Sequence, residues 1–265
     1  MGINVNEYFR GAPLRLDEVY HSNSKHSPTQ VSFATSLQVA QRDRWIHDSH
    51  RATRGRYRSY PRSGRVELPR APLPLPLPLG EAIGGRQSHR TFGGQPLSLA
   101  ELSTLLVMSY GRGLDKNGGC RRPTPSGGGL YPLDLYVLQV PGRSVCEGAY
   151  HYHPGAHVLQ CVRPACKTAD LEAASMYPET VRAASAVLVV VADMRRSRFK
   201  YGERAYRLAL LEAGHVSQAL YLIAAALRIG IVALDGFYDD RLHALLDVDG
   251  VSEIALTSVA VGRLP

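Results

Sequence analysis

The sequence predicts an α+β fold, a mixed or antiparallel central sheet packed by helices with one long helix at its centre. Three observations carry this. A helical apolar pattern runs from about Gly202 to Leu227, which at 1.5 Å per residue is about 40 Å, long enough to cross a domain's centre or a dimer interface. "SAVLVVVADM" (Ser185 to Met194) is an uninterrupted apolar run of strand length, read as a buried strand. Shorter strand patterns lie on both sides of it, interleaved with helical ones, and no internal repeat is visible.

The elements follow in order. Residues 1–78 read as a basic arm: within the first 80 residues stand twelve Lys/Arg against six Asp/Glu, six of the chain's eight net positive charges. "RATRGRYRSYPRSGR" (Arg51 to Arg65) is its densest part, suited to nucleic acid or an acidic peptide. No nucleic-acid-binding motif accompanies the charge, so a solvated arm is preferred and nucleic acid is not an expected partner. "PTQVSFATSLQVAQRDRWIHD" has room for one short helix. The arm ends in "LPRAPLPLPLPLG", where proline fixes φ and removes donors, a polyproline-like spacer whose leucines can lie along a core surface. The folded domain is taken as 79–265. It opens with "SLAELSTLLVMSYG", a serine-capped helix with an acid in its first turn. Leu133, Leu135 and Val137 alternate as in a strand, and "GAYHYHP" and "HVLQCV" form a hairpin around His153-Pro154-Gly155. "GIVALDGF" and "EIALTSVAVG" supply the last strands.

Composition excludes several classes. A hydrophobic fraction of 45% and a charged fraction of 20% are those of an ordinary globular chain, and no apolar run reaches membrane-span length. Four cysteines without a C-x-x-C pair argue against structural zinc and a disulfide framework, and no secretory signal opens the chain. A reducing cytoplasm is the expected compartment. "HYH" (His151 to His153) lacks a third ligand, so no metal is expected. No G-x-S-x-G elbow supports a serine hydrolase.

Four constellations can carry chemistry. In "RQSHR", Arg86, Ser88 and Arg90 alternate, and in an extended segment they present two guanidinium forks and a hydroxyl to a phosphate or heterocycle edge; two surface arginines are the plain alternative. "RRPTPSGGGLYP" brings backbone amides close to a ligand, or is a flexible turn; it is neither a Walker loop nor a Rossmann fingerprint. "LDGFYDD" can aim a main-chain N–H at a planar ligand, or Asp235, Asp239 or Asp240 can cap the next helix. Lys200-Tyr201, ahead of the long helix, is either surface chemistry or a base with its tuner. A free tyrosine near pKa 10 is too protonated at neutral pH to serve as a base unless an ammonium favours the phenolate.

Together "RQSHRTF", "PSGGGLYPLDLYVL", "YHYHP", "FKYGERAYRLALLEAGHVSQALYL" and "VALDGFYDD" resemble, in order, the azoline dehydrogenases (SagB-type) of the nitroreductase-like flavoprotein superfamily. The resemblance covers about Leu79 to Pro265, and "YHSNSK" (Tyr20 to Lys25) is similar to the family's N-terminal opening. It implies an FMN-binding homodimer with flavin at the subunit interface. Arg86, Ser88 and Arg90 match residues holding FMN phosphate and ring edge. Ser126, Gly127 and Gly128 match the segment along the isoalloxazine. Asp235 and Gly236 fall where the superfamily offers a backbone N–H to flavin N5, and Arg263 matches a C-terminal base that reaches the phosphate. Lys200 and Tyr201 match the catalytic pair of this branch. Two positions depart: Gly129 replaces a common asparagine, and Arg228 in "LRIG" stands where Gly-Leu-Gly is common.

The implied reaction removes two electrons and two protons from a thiazoline or oxazoline in a ribosomally made peptide. The implied partners are that azoline-containing precursor peptide and the cyclodehydratase (YcaO-type) that makes the ring. An NAD(P)H-dependent nitroreductase or flavin reductase is the alternative enzyme. A flavin-free peptide- or nucleic-acid-binding protein using the arm is the alternative outside catalysis.

Overall fold

The computed structural model describes residues 16–25, 57–61, 63–114, 120–138, 148–164 and 166–265. In chain order these form α1 (Leu16–Asn23), β1 (Arg65–Glu67), α2 (Leu79–Gly85), α3 (Leu99–Tyr110), β2 (Gly113–Leu114), β3 (Cys120–Arg121) and β4 (Leu133–Leu138). Then follow β5 (Gly148–His153), β6 (Val158–Pro164), α4 (Thr168–Ala174), α5 (Pro178–Ala183), β7 (Ala186–Asp193), α6 (Arg195–Tyr201), α7 (Arg204–Leu227), β8 (Ile229–Ala233), α8 (Asp239–Leu246) and β9 (Glu253–Arg263).

Seven strands make one sheet in the order β1-β6-β5-β4-β7-β9-β8, and every pairing in it is antiparallel. The choice left open between a mixed and an antiparallel sheet falls to the second. β7, an interior strand between β4 and β9, is buried at every position. Its alternate residues explain why: Leu188 and Val190 join the core formed with α3 and α7, while Val187, Val189 and Val191 join that formed with α4, α5 and α8. With helices on both faces the strand has no polar side, hence its unbroken apolar run.

α3 starts as its sequence dictates. Glu101 N–H donates to Ser98 Oγ at 3.2 Å, and Ser98 N–H donates to Glu101 Oε2 at 2.8 Å, a reciprocal cap. α7 differs from expectation at its start. Gly202, at φ 53° and ψ −135°, breaks the chain, so Lys200 and Tyr201 end the short α6 and α7 begins at Arg204. A side chain at that φ is strained, which makes glycine the natural hinge. At its far end α7 is closed by Arg228 in the left-handed conformation (φ 55°, ψ 42°). That is the position where a helix favours glycine, so the departure noted in the sequence keeps the turn with a less suited residue.

The packed body reaches back beyond residue 79. β1 pairs with β6, Leu68 is buried in the core, and Leu73 N–H donates to Thr104 Oγ1 at 2.9 Å while Ser103 Oγ donates to Pro69 O at 2.7 Å. The Leu-Pro run therefore lies along α3. Further upstream, Arg58 pairs with Glu253. The short helix expected within 28–48 lies outside the described residues.

Candidate active site

α7 is the axis on which the predicted segments gather. At its N-terminal end, the loop after β3 makes a single 3-10 turn over Gly127–Gly129, with Gly128 at φ 62°. The loop sits on the helix: a Cβ on Gly127 would lie 3.3 Å from Leu208 Cδ1. Gly128 faces the pair ahead of the helix. A Cβ there would collide with Tyr201 Oη and stand 2.8 Å from Lys200 Nζ. Glycine is favoured here by backbone conformation, and a larger residue would push the ends of both side chains away. Lys200 Nζ itself stands 5.3 Å from the centre of the Tyr201 ring, a cation over a π face.

Behind this pair, the segment read as the family's opening packs on the α6–α7 turn. Tyr20 meets Tyr206 edge-on at 5.6 Å, and Arg204 Nη1 donates to Ser24 O at 3.1 Å. Arg207 Nη2 donates to Ser24 Oγ at 2.5 Å.

At the other end of α7, Tyr221 collects the second group. Its hydroxyl shares a 3.0 Å hydrogen bond with Ser88 Oγ and accepts the Ala233 N–H at 2.8 Å; the Arg86 guanidinium lies 5.5 Å from its ring centre. The "RQSHR" segment runs beside β8, with His89 N–H donating to Ile231 O at 2.8 Å. Extended alternation then turns Gln87 and His89 into an apolar cavity of about 240 Å³. Arg90 is exposed. Arg263 is engaged by Glu101 through two contacts of 2.7 and 2.9 Å, and Glu101 is the same carboxylate that caps α3.

Between the two groups lies a groove of about 200 Å³, bounded on α7 by Leu210, Gly214 and Ser217 and opposite by Asp235 and Thr257. Asp235 is not a helix cap: its Oδ1 accepts from Thr257 Oγ1 at 2.7 Å, and α8 has no side-chain cap at all. Gly236 is packed so that a Cβ would come within 2.7 Å of the Tyr177 ring. At Gly214, in contrast, a Cβ would meet nothing within 4 Å. Glycine inside a helix costs about 1 kcal/mol relative to alanine. A bare helix face that none of the described residues fills suits a flat ligand lying close to the backbone.

Two residues central to this layout escaped the sequence reading, Glu212 and Tyr221. Both fall on the buried stripe of α7 with Ala205, Ala209, Val216 and Leu220. A carboxylate at a core register was the available signal, since a buried charge must be satisfied. Tyr221→Phe is expected to destabilise the fold by about 1–2 kcal/mol, because the Ala233 N–H loses its acceptor. Urea unfolding measures this; an unchanged midpoint would show that water replaces the hydroxyl.

Known proteins share this architecture. A Methanocaldococcus jannaschii protein named as a nitroreductase is 33% identical over 70% of this chain and 90% of its own length. The Escherichia coli microcin B17-processing protein McbC is 28% identical over 58% of this chain, which spans 57% of McbC. Among solved structures, a nitroreductase from Anabaena variabilis superposes with a TM-score of 0.73 at 22% identity, over 97% of this chain and 49% of that one. A chain of the E. coli microcin synthetase McbBCD complex with truncated pro-MccB17 does so with a TM-score of 0.58 at 20% identity, over 91% of this chain and 98% of that one. At these identities the two structures speak for the fold. With the nitroreductase family model matching residues 83–263, from α2 through the last strand, the chain belongs to the nitroreductase family.

Proposed function

We propose that this protein is an FMN-dependent dehydrogenase that oxidises thiazoline or oxazoline rings of a ribosomally made peptide to thiazoles or oxazoles. The observation that carries it is the meeting of Gly128 with Lys200 and Tyr201. A loop suited to a flat ligand and an amine–phenol pair come from distant parts of the chain to one place. The likeness to McbC, a microcin B17-processing protein, points the same way.

The residues present fit a flavin. Ser126, Gly127 and Gly128 offer backbone beside the helix, Gly214 leaves the helix face open, and Asp235 and Gly236 line the opposite wall. Arg86, Ser88 and Arg90 form the basic end, and Arg263 joins them on release from Glu101. Bound FMN supplies a two-electron hydride acceptor. The chain supplies the base: aromatisation also releases a proton from carbon, and Lys200 or Tyr201 takes it. The hinge at Gly202 fixes the pair's direction, against Gly128.

The two groups lie about 13 Å apart along α7, at Glu212 and Tyr221. Leu210 and Leu211 on the same helix are 42% and 57% exposed, large apolar side chains beside the groove. This favours a homodimer in which a second copy covers the helix and completes the flavin site. The peptide and the cyclodehydratase that forms its azoline are the partners.

The test is the purified protein itself. It is expected to be yellow with FMN, to give a light-scattering mass of two chains, and to remove about 2 Da per ring from an azoline peptide, the mass of two hydrogens. A second reading is favoured by the name of the M. jannaschii relative: a reductase fed by NAD(P)H and acting on small acceptors. Rapid NADPH oxidation with a quinone, and no mass change in the peptide, would select it.

A further inference from the structure

We infer that Glu212 is a positioning residue for the Lys200–Tyr201 site, holding the glycine loop in place through Ser126. The inference deepens the dehydrogenase reading and rests on it for its kinetic part.

The geometry is directional. Ser126 Oγ accepts the Tyr131 N–H at 2.9 Å, so its own hydrogen is free to donate, and it does so to Glu212 Oε2 at 2.6 Å. Tyr110 Oη accepts the Leu133 N–H at 3.3 Å and donates to Glu212 Oε1 at 2.5 Å. Each carboxylate oxygen thus ends one chain that starts at a backbone amide on the stretch leading into β4. A carboxylate suits both ends, since it only accepts. Between the two anchored amides and the Lys-Tyr pair stand Gly127 to Gly129, whose turn is closed by Gly129 N–H donating to Ser126 O at 3.0 Å. Glu212 touches neither Lys200 nor Tyr201 in any of these contacts; it acts on them through the loop.

The carboxylate is buried together with Tyr110, one of the two groups it binds. Glu212 is 3% exposed. Burial pushes its pKa up, against the Ser126 and Tyr110 hydroxyls and the Arg122 charge, which pull it down. A carboxyl whose pKa is raised on folding weakens the folded state as pH rises from the unfolded pKa towards the folded one. The nearby cation is itself buried: the Arg122 guanidinium lies 4.1 Å from the Tyr110 ring centre, and its Nη1 donates to Tyr110 O at 3.2 Å. Removing the carboxylate strands the Tyr110 and Ser126 hydroxyls, so a loss of stability is expected in either case and loop exchange is the readout that reports orientation.

The experiment compares Glu212→Met, Glu212→Gln, Ser126→Ala and Tyr110→Phe in the full chain. Glu212→Met is expected to speed hydrogen exchange at amides 127–131 at least 10-fold and to lower kcat at least 10-fold, with KM within twofold and FMN retained. Glu212→Gln, whose amide can still bond Ser126, restores part of both. The double variant Glu212→Met/Ser126→Ala is no slower than the slower single, because the two act through one bond. Tyr110→Phe leaves that bond and moves exchange at 127–131 less than Glu212→Met, even where it costs more stability. Unchanged exchange in Glu212→Met, or kcat losses that multiply in the double variant, overturns the inference. Should Glu212→Met not fold, Ser126→Ala removes the same bond, and exchange at 127–129, away from the Tyr131 N–H that Ser126 also anchors, carries the readout. Wild-type protein inert on azoline peptide would refute the dehydrogenase reading alone, while the exchange rates still decide Glu212's role.

Discussion

Lys200→Ala and Tyr201→Phe are each expected to cut azole formation by a factor of about 10² to 10⁴, the range lost when a positioned acid–base group is removed, while FMN stays bound. The separation of the two effects follows from the layout. Of the groups proposed to grip the cofactor, Arg86 and Ser88 lie against Tyr221 on α7's far half, Asp235 lines the groove opposite α7, and the glycine loop offers only backbone, which neither substitution changes. The pair stands instead against Gly128. Tyr201→Phe keeps the ring that packs on the core and removes only the oxygen, so a loss of rate cannot be assigned to repacking. Lys200→Ala removes the cation 5.3 Å from that ring. If Tyr201 takes the proton, Tyr201→Phe loses more rate than Lys200→Ala; the reverse order assigns the proton to Lys200. Flavin absorbance reports occupancy and mass spectrometry the rings converted. Full activity in both variants would sink the assignment of chemistry to this pair.

How much of this was legible beforehand depended on range. The strands, the Ser98 cap and the long helix are set by local patterns, and the structure follows them. Gly202 shows the limit: the long helix was expected from about there, but the short α6 before it was not, and a single residue at positive φ separates the two and turns Lys200-Tyr201 onto the glycine loop. The Leu-Pro run was read as a polyproline-like spacer. Contact with a core surface was expected of it; that α3 provides the surface was not, because the partners of Pro69 and Leu73 are hydroxyls some thirty residues ahead. Ser88 and Ser126 were singled out from their own motifs, yet what holds each of them, Tyr221 and Glu212, sits inside an apolar helix. Pattern reading assigns such a helix to the core and passes over its polar members. Arg263 offers the reverse lesson: a basic residue placed by resemblance at a phosphate is found on a carboxylate that also caps a helix.

Arg196→Ala should be the most destabilising single change, by about 3–5 kcal/mol at pH 7, the usual result of stranding one member of a buried ion pair. Arg196 Nη1 and Nη2 donate to the two oxygens of Asp134 at 3.1 and 2.7 Å, and Asp134 is 4% exposed in β4. His151, fully buried beside it, has Nε2 3.4 Å from Asp134 Oδ1. Burial alone would raise the Asp134 pKa, but the Arg196 guanidinium and the neighbouring His151 hold it well below the carboxylate range. A carboxyl depressed on folding contributes stability above its unfolded pKa of about 4, and that contribution fades as pH falls towards the folded value. The gap between wild type and Arg196→Ala should therefore narrow between pH 7 and pH 3, and urea titrations at several pH values would trace it. A gap below about 1 kcal/mol at pH 7, or one that does not change with pH, would show the pair to be solvated and weak. The consequence extends to catalysis through α6. Arg196 ties the start of that helix to the sheet, and Lys200 and Tyr201 form its end. Arg196→Lys keeps the charge but gives up the two-pronged grip, so it should recover much of the stability and less of the rate. Equal recovery of both would mean that the anchor supports the fold without aiming the pair.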